Sequence, residues 1–334
     1  MRNKNLRRVY ALFLLFALVA QLGGTVRAAD GQDTVYIGSA EELRSFARKC
    51  AYDVWSEGKT VILQRDISLG GVEFTPIPSF GGTFEGNGHT ISNLSVSAGV
   101  SPAGLFGIVA PSGVVRELTV EGNVDPEGSA KRVGGIAGEN HGTVSNCAFT
   151  GTVNGAQSVG GIVGLNAAEG VLRRCEMNGG VFGKAMTGGV AGENRGTLSY
   201  CTNRAYVNTN TLDPSISADR LEVNMTGGLL SLISPDTFNV ATDSGGVAGY
   251  SDGSLLGCVN HGTVGYQHIG YNVGGIVGRS SGNLSACVNH GSVYGRREVG
   301  GVAGMAEPYV HINLKGGSLD EIREQVRALS RVID

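Results

Sequence analysis

A five-residue phrase, Gly-Gly-(Ile/Val)-(Ala/Val)-Gly, occurs six times in this chain, beginning at Gly134, Gly160, Gly188, Gly245, Gly274 and Gly300. Successive starts lie 26, 28, 57, 29 and 26 residues apart, so one period of 26–29 residues governs most of the sequence, and the 57 reads as a double step. A repeat of that length cannot bury an apolar face alone. It buries it against its neighbours, which predicts a solenoid.

The register reaches beyond the glycines. A cysteine follows the start of the phrase by 13 residues at Cys147, Cys201, Cys258 and Cys287, and by 15 at Cys175. Val144, Leu172, Leu198, Leu255 or Leu284 stands three residues before each cysteine, and Val153, Val181, Val207, Val264 or Val293 six after it. Leu94 and Leu118 read as occupants of the cysteine slot in two earlier repeats. Each repeat thus holds three short apolar clusters separated by Gly, Asn, Ser and Thr, residues that supply turns and positive φ. Such clusters are too short for helices. Three strands per turn predict an all-β chain, a right-handed parallel β-helix of the pectate-lyase kind, with seven to nine coils over residues 59–317.

The flanks divide accordingly. Residues 1–28 read as a signal peptide, with Arg2, Lys4, Arg7 and Arg8 ahead of an apolar run and Val26 and Ala28 before the cleavage point. Residues 29–58 read as an N-terminal cap. Ser39-Ala40-Glu41-Glu42 is a capping box that opens a helix with Leu43, Phe46, Ala47 and Cys50 on one face, and the first strand is expected at residues 60–63. A second box, Ser318 to Glu321, opens an amphipathic helix over 318–334 with Leu319, Ile322, Val326, Leu329 and Ile333. It reads as a cap or linker, with a coiled-coil seam as the alternative.

Composition narrows the partners. Without the signal segment the chain carries 21 basic and 29 acidic residues, a balance of −8, which argues against nucleic acid and anionic membranes. No later stretch is apolar enough to span a bilayer, so an exported, soluble monomer is expected. Glycine accounts for 55 of 334 residues but does not fall every third position, which excludes collagen.

Gly104-Leu105-Phe106-Gly107, the run of Gly-Gly-Ile-Val-Gly phrases and the Gly-Cys-Val-Asn-His-Gly turns resemble the GLUG repeat of bacterial surface and secreted proteins. The opening matches too, in Tyr36 to Leu43, Asp66-Ile67-Ser68-Leu69 and Gly82 to Ile91, so the resemblance covers about residues 35–310. In that family the repeats occur ahead of the catalytic part of some immunoglobulin A peptidases. The resemblance implies a stalk or binding module with any chemistry elsewhere.

Candidate chemistry is sparse. The six histidines include no His-Glu-x-x-His zinc motif. His261 and His290 share one slot on successive repeats; a stacked surface turn is the reading, a metal pair the alternative. Glu139 and Glu193 each follow a phrase directly, two repeats apart, with Leu165 between. They read as solvated turn positions with no recurrent basic partner, and a carbohydrate-active enzyme (polysaccharide lyase or glycoside hydrolase) is the alternative. The cysteines read as a buried thiol ladder, because a bridge needs Cβ atoms closer than stacked coils hold them.

The double step is the irregular place, at residues 208–243, where Gly227-Gly228-Leu229-Leu230 has the look of a degenerate repeat. Insertions on solenoids cluster on one face, so Asp213, Asp219, Arg220, Glu222 and Asp236 are the candidate ligand-binding residues. No catalytic residue, metal site or cofactor is assigned. The expected function is an exported module, adhesive, ligand-binding or structural, with an extracellular glycan or protein as partner.

Overall fold

The computed structural model describes residues 33–52, 54–209 and 241–307. The signal segment, most of the 208–243 region and the expected helix at 318–334 lie outside the described residues. Among the described residues the chain is a β-solenoid of nine coils with one short helix, and every strand pairing is parallel. No helix among the described residues is long and apolar enough to cross a membrane.

A coil has four walls rather than the three expected. In one repeat the chain runs through Lys131–Gly134 (sheet I), Ala137–Asn140 (sheet II), Thr143–Ser145 (sheet III) and Ala148–Asn154 (sheet IV). The glycine phrase accounts for the difference. It is not one apolar cluster but the corner where a sheet I strand ends and a sheet II strand begins, and the six strands of sheet I correspond one to one with the six phrases. The third residue of the phrase (Ile136, Ile162, Val190, Val247 or Ile276) points into the core and is fully buried.

Two of the glycines are sterically required. A Cβ on Gly164, the fifth residue of its phrase, would collide with the backbone of Arg132 and Val133 in the sheet I strand of the preceding coil, and Gly192 faces Ser158 and Val159 in the same way. Sheet II therefore lies backbone-to-backbone on sheet I, an approach that only glycine permits. The second residue makes room for a core side chain: a Cβ on Gly135 would enter the ring of Phe149, and one on Gly189 the amide of Asn203.

The core is apolar with two polar seams that the sequence suggested were turns. Asn140 donates to Asn166 (2.8 Å), Asn166 to Asn194 (2.9 Å) and Asn194 to Ser251 (3.0 Å), up one corner of the coil. Asn203 donates to Asn260 and Asn260 to Asn289, both at 2.8 Å, up another. The reason is the coil spacing of about 4.8 Å, which lets the side-chain amide of one coil reach the next while its oxygen takes a local backbone N–H. Gly142 and Gly262 supply that N–H to Asn140 and Asn260.

The cysteine ladder is present, all six thiols being free, with Cys147, Cys175, Cys201 and Cys258 buried and Cys287 half-buried at the outermost rung of the ladder. Burial pushes the Cys147 thiol well up and the Cys50 thiol up to about 12. Leu118 occupies this slot, as expected. Leu94 does not: Thr90 pairs with Thr119 and Ile91 with Val120, which puts His89 opposite Leu118, and Leu94, beyond a bulge, pairs with Gly122.

At the first end the helix α1 (Ala40–Lys49) forms as expected. Ser39 accepts from the Glu42 amide, and the Glu42 carboxylate accepts from Gly38. Leu43, Phe46 and Ala47 are buried, and Phe46 packs on Phe80 and Phe84 at ring separations of 5.9 and 6.2 Å. One strand was not expected: Thr34–Ile37 precedes the helix and pairs with Thr60–Leu63 as the outermost strand of sheet III. At the other end, Val299 and Val302 in the last coil are 45% and 47% exposed, whereas their counterparts Val273 and Ile276 one coil earlier are 1% and 0%.

The 57-residue step is one coil, not two. The sheet I strand Ala185–Gly188 pairs directly with Thr242–Gly245, and Thr197–Ser199 in sheet III with Ser254–Leu256. Two outcomes follow from this packing. Asn166→Ala takes the acceptor from one N–H of Asn140, whose amide keeps only its bonds to backbone carbonyls such as Gly142, and the donor from the buried Asn194 oxygen, and is expected to cost about 2–4 kcal/mol, read from urea unfolding. A thiol reagent at neutral pH is expected to modify no more than Cys287 in the native protein and all six cysteines after denaturation.

Candidate functional site

The residues expected to bind a ligand, Asp213, Asp219, Arg220, Glu222 and Asp236, lie outside the described residues. The wall from which their segment departs is described. Asn208, in left-handed conformation, accepts from the Gly183 amide (2.8 Å) and donates to Ser244 (2.9 Å), so the exit and the re-entry of the insertion are tied together at the corner between sheets IV and I.

Charge gathers instead along the seam where sheet II lies on sheet I. The residue two before each phrase (Arg132, Ser158, Met186, Asp243, Asn272 and Glu298) has a φ between 51° and 58°. This break in strand alternation turns its side chain towards the outer row of sheet II. That row runs in register through Ile108, Glu139, Leu165, Glu193, Tyr250 and Arg279. Glu139 and Glu193 are therefore roofed strand residues, 7% and 8% exposed, and not solvated turns.

Each also has the basic partner that the sequence did not reveal. Arg132 donates to one oxygen of Glu139 (2.6 Å) and His141 meets the other (3.1 Å). Arg195 holds one oxygen of Glu193 (2.8 Å) and the Ser158 hydroxyl donates to the other (3.2 Å). The third pair inverts the polarity: Asp243, in the slot of Arg132, accepts from Asn272 (2.7 Å) and from Arg279 (3.2 Å), which occupies the row of the glutamates. Arg279 also reaches Glu307 (3.3 Å) and lies over the Tyr250 ring at 4.8 Å.

Chemically this seam is closed. Both oxygens of Glu139 and of Glu193 are engaged, and the two residues stand two coils, about 10 Å, apart with Leu165 between them. A glycosidase needs two carboxylates free to face one scissile bond. One group stands apart. Asp252, one coil from Arg195, has an oxygen buried without a hydrogen-bond partner, and burial raises its carboxyl above the usual range although Arg195 opposes the shift. Nothing in the repeat pattern marks it, because its slot holds His141, Ala167, Arg195 and Ser281 in the other coils.

The outer face of sheet IV is open. Arg204, His261 and His290 stand in one row on consecutive coils, and the two imidazoles stack with centroids 5.0 Å apart and planes 16° apart. Among the described residues no three His, Cys, Asp or Glu side chains are grouped to hold a metal ion.

The coil that carries Arg132 and Glu139 also decides the family likeness, since residues 129–154 match the family profile described as the GLUG motif. The chain carries a GLUG motif. The GLUG match spans one full circuit of the solenoid, from sheet I to sheet IV. Halomucin of Haloquadratum walsbyi is 41% identical over 95 residues, which are 28% of this chain and 1% of that protein. A protein of Evansella cellulosilytica, provisionally named a Gly-rich membrane protein, is 28% identical over 35% of this chain and 18% of its own length. The chain thus spans less than a fifth of either curated relative. Among solved structures, a protein of Bacteroides ovatus provisionally named an immunoglobulin A1 protease superposes with a TM-score of 0.50, covering 82% of this chain and 84% of that one at 19% identity. That likeness shows the fold.

Because the folded state raises the Asp252 carboxyl, its ionised form is disfavoured by folding. The cost is absent below the unfolded value, near pH 3.9, and fully present above the folded one. Asp252→Asn is therefore expected to raise the melting temperature at pH 7 and leave it unchanged at pH 3.

Proposed function

We propose that this chain is a non-catalytic β-helical module of an exported or surface protein, which holds an extracellular glycan or protein on a wall of the solenoid. The carrying observation is the contrast between two faces. The carboxylates along the sheet I–II seam have both oxygens turned inward on arginine, histidine, serine or asparagine, whereas sheet IV presents Arg204, Tyr206, His261, His290 and Tyr294 to solvent. The names of halomucin and of the Gly-rich membrane protein support a place outside the cell or at its surface. The provisional immunoglobulin A1 protease supports the use of this fold in a protein that meets host material.

A carbohydrate-active enzyme is the second reading. Asp252, with its raised carboxyl beside Arg195 and Glu193, is the group that favours it. Incubating the purified chain with a panel of polysaccharides separates the two, by assaying both retention and newly released reducing or unsaturated ends. Retention without product is expected. Release of ends that disappears in Asp252→Asn would replace the module with an enzyme.

A further inference from the structure

The outer face of sheet IV changes character along the solenoid. The row that contains Thr150 begins acidic at Glu121 and continues through Asn178 to Arg204, His261 and His290. Backbone hydrogen bonds fix the last three in register: Arg204 N to Met177 O, His261 N to Asn203 O and His290 N to Asn260 O. On the flank of this row Tyr206 is 58% and Tyr294 39% exposed. Among the described residues the last two coils of this face, 259–266 and 288–294, hold no carboxylate. One coil earlier Glu176 pairs with Arg204 at 2.8 Å. Where the chain leaves the sheet it carries the exposed His268 after the first of these coils and the exposed Arg296, Arg297 and Glu298 after the second, with Arg297 and Glu298 paired to each other.

We propose that this face binds an acidic polysaccharide laid along the solenoid axis, with its carboxylate or sulfate groups on Arg204, His261 and His290 and its ring faces against Tyr206 and Tyr294. The inference rests on the module reading and names its ligand class. Charge complementarity selects the sign, since this row sets a guanidinium and two imidazoles on consecutive coils in a chain whose acidic residues outnumber its basic ones, 29 to 26. The repeat selects the polymer. Side chains on successive parallel strands rise by about 4.8 Å, similar to one sugar unit of an extended chain, whereas an acidic protein segment has no fixed charge repeat to match. Exposed tyrosines supply flat amphipathic surfaces of the kind that pack on sugar rings.

The stacked imidazoles add a condition. Protonation places two further positive charges beside the guanidinium of Arg204, so they repel one another unless an anion lies across them. Bound polyanion and protonated histidines therefore stabilise each other, and binding strengthens as the pH falls through the range where imidazoles gain charge.

The test is retention of the full chain on immobilised polygalacturonate at low salt, at pH 8 and pH 5.5, with dextran and single-stranded DNA as controls. About tenfold tighter binding is expected at pH 5.5, with little retention on either control. His261→Gln with His290→Gln is expected to abolish the pH dependence at an unchanged melting temperature, and Arg204→Gln to weaken binding at both pH values. Glu176→Gln, which frees Arg204, is expected to strengthen it. Retention that is independent of pH, that keeps its pH dependence in the double histidine variant or that is matched on DNA overturns the proposal. Retention on dextran or on a protein ligand alone also overturns it, while leaving the module reading intact. Cleavage of polygalacturonate overturns both.

Discussion

The close approach of sheet II to sheet I is the constraint on which the rest depends. A coil with four walls and a period of 26–29 residues closes only if two strands fold back on one another with no side chain between them. The fifth glycine of each phrase meets that demand, as the collisions a Cβ would make at Gly164, Gly192, Gly249 and Gly278 show. Packing of this kind is sterically all-or-none, whereas the apolar core positions accept Val, Leu, Ile, Phe or Cys in turn. The same fold-back creates the roofed seam in which the charges sit, so the glycines that build the solenoid also decide that Glu139 and Glu193 are buried.

Stacking then converts a polar residue into a structural one. A single asparagine inside an apolar core is destabilising, because its amide loses water and gains nothing. Repeated at the spacing of the coils, each amide is donor to one neighbour and acceptor from the other, and the ladders Asn140–Asn166–Asn194 and Asn203–Asn260–Asn289 satisfy themselves. The ion pairs follow the same logic less regularly. Arg132–Glu139 and Arg195–Glu193 keep carboxylates in the sheet II row, while Asp243–Arg279 exchanges the signs between the sheets. A buried charge tolerates that exchange as long as its partner is exchanged with it. The wall that carries open chemistry is sheet IV, whose outer row from Glu121 to His290 is exposed among the described residues.

Several features were legible because they recur at the period. The cysteine ladder, the stack of His261 on His290 and the capping box at Ser39 all rest on spacing in the sequence, and the structure places them accordingly. What failed had a physical cause in each case. Leu94 was placed in the cysteine slot because its spacing fits, yet strand pairing begins earlier in that repeat, with Thr90 on Thr119, so His89 stands opposite Leu118 and Leu94 falls on Gly122. The 57-residue step was read as two coils because its length is twice the period, yet hydrogen bonding carries Gly188 directly to Gly245. The buried asparagines were taken for turn residues, since isolated asparagine is common in turns and only stacking gives it partners in a core.

The sequence by itself determined the parallel solenoid, its period and the rows of residues that stack, since a repeat too small to bury its own core leaves no other arrangement. The tertiary structure decided what each row faces. Arg132 and Glu139 are seven residues apart and Ser158 and Glu193 thirty-five apart, separations that mean nothing along the chain. They meet because a left-handed residue in sheet I tilts its side chain over a strand of sheet II, a matter of φ and of backbone approach rather than of composition. Whether a polar row becomes an internal ladder, a closed ion pair or an open binding face depends on which wall lies across from it, and that is set only when the coil closes.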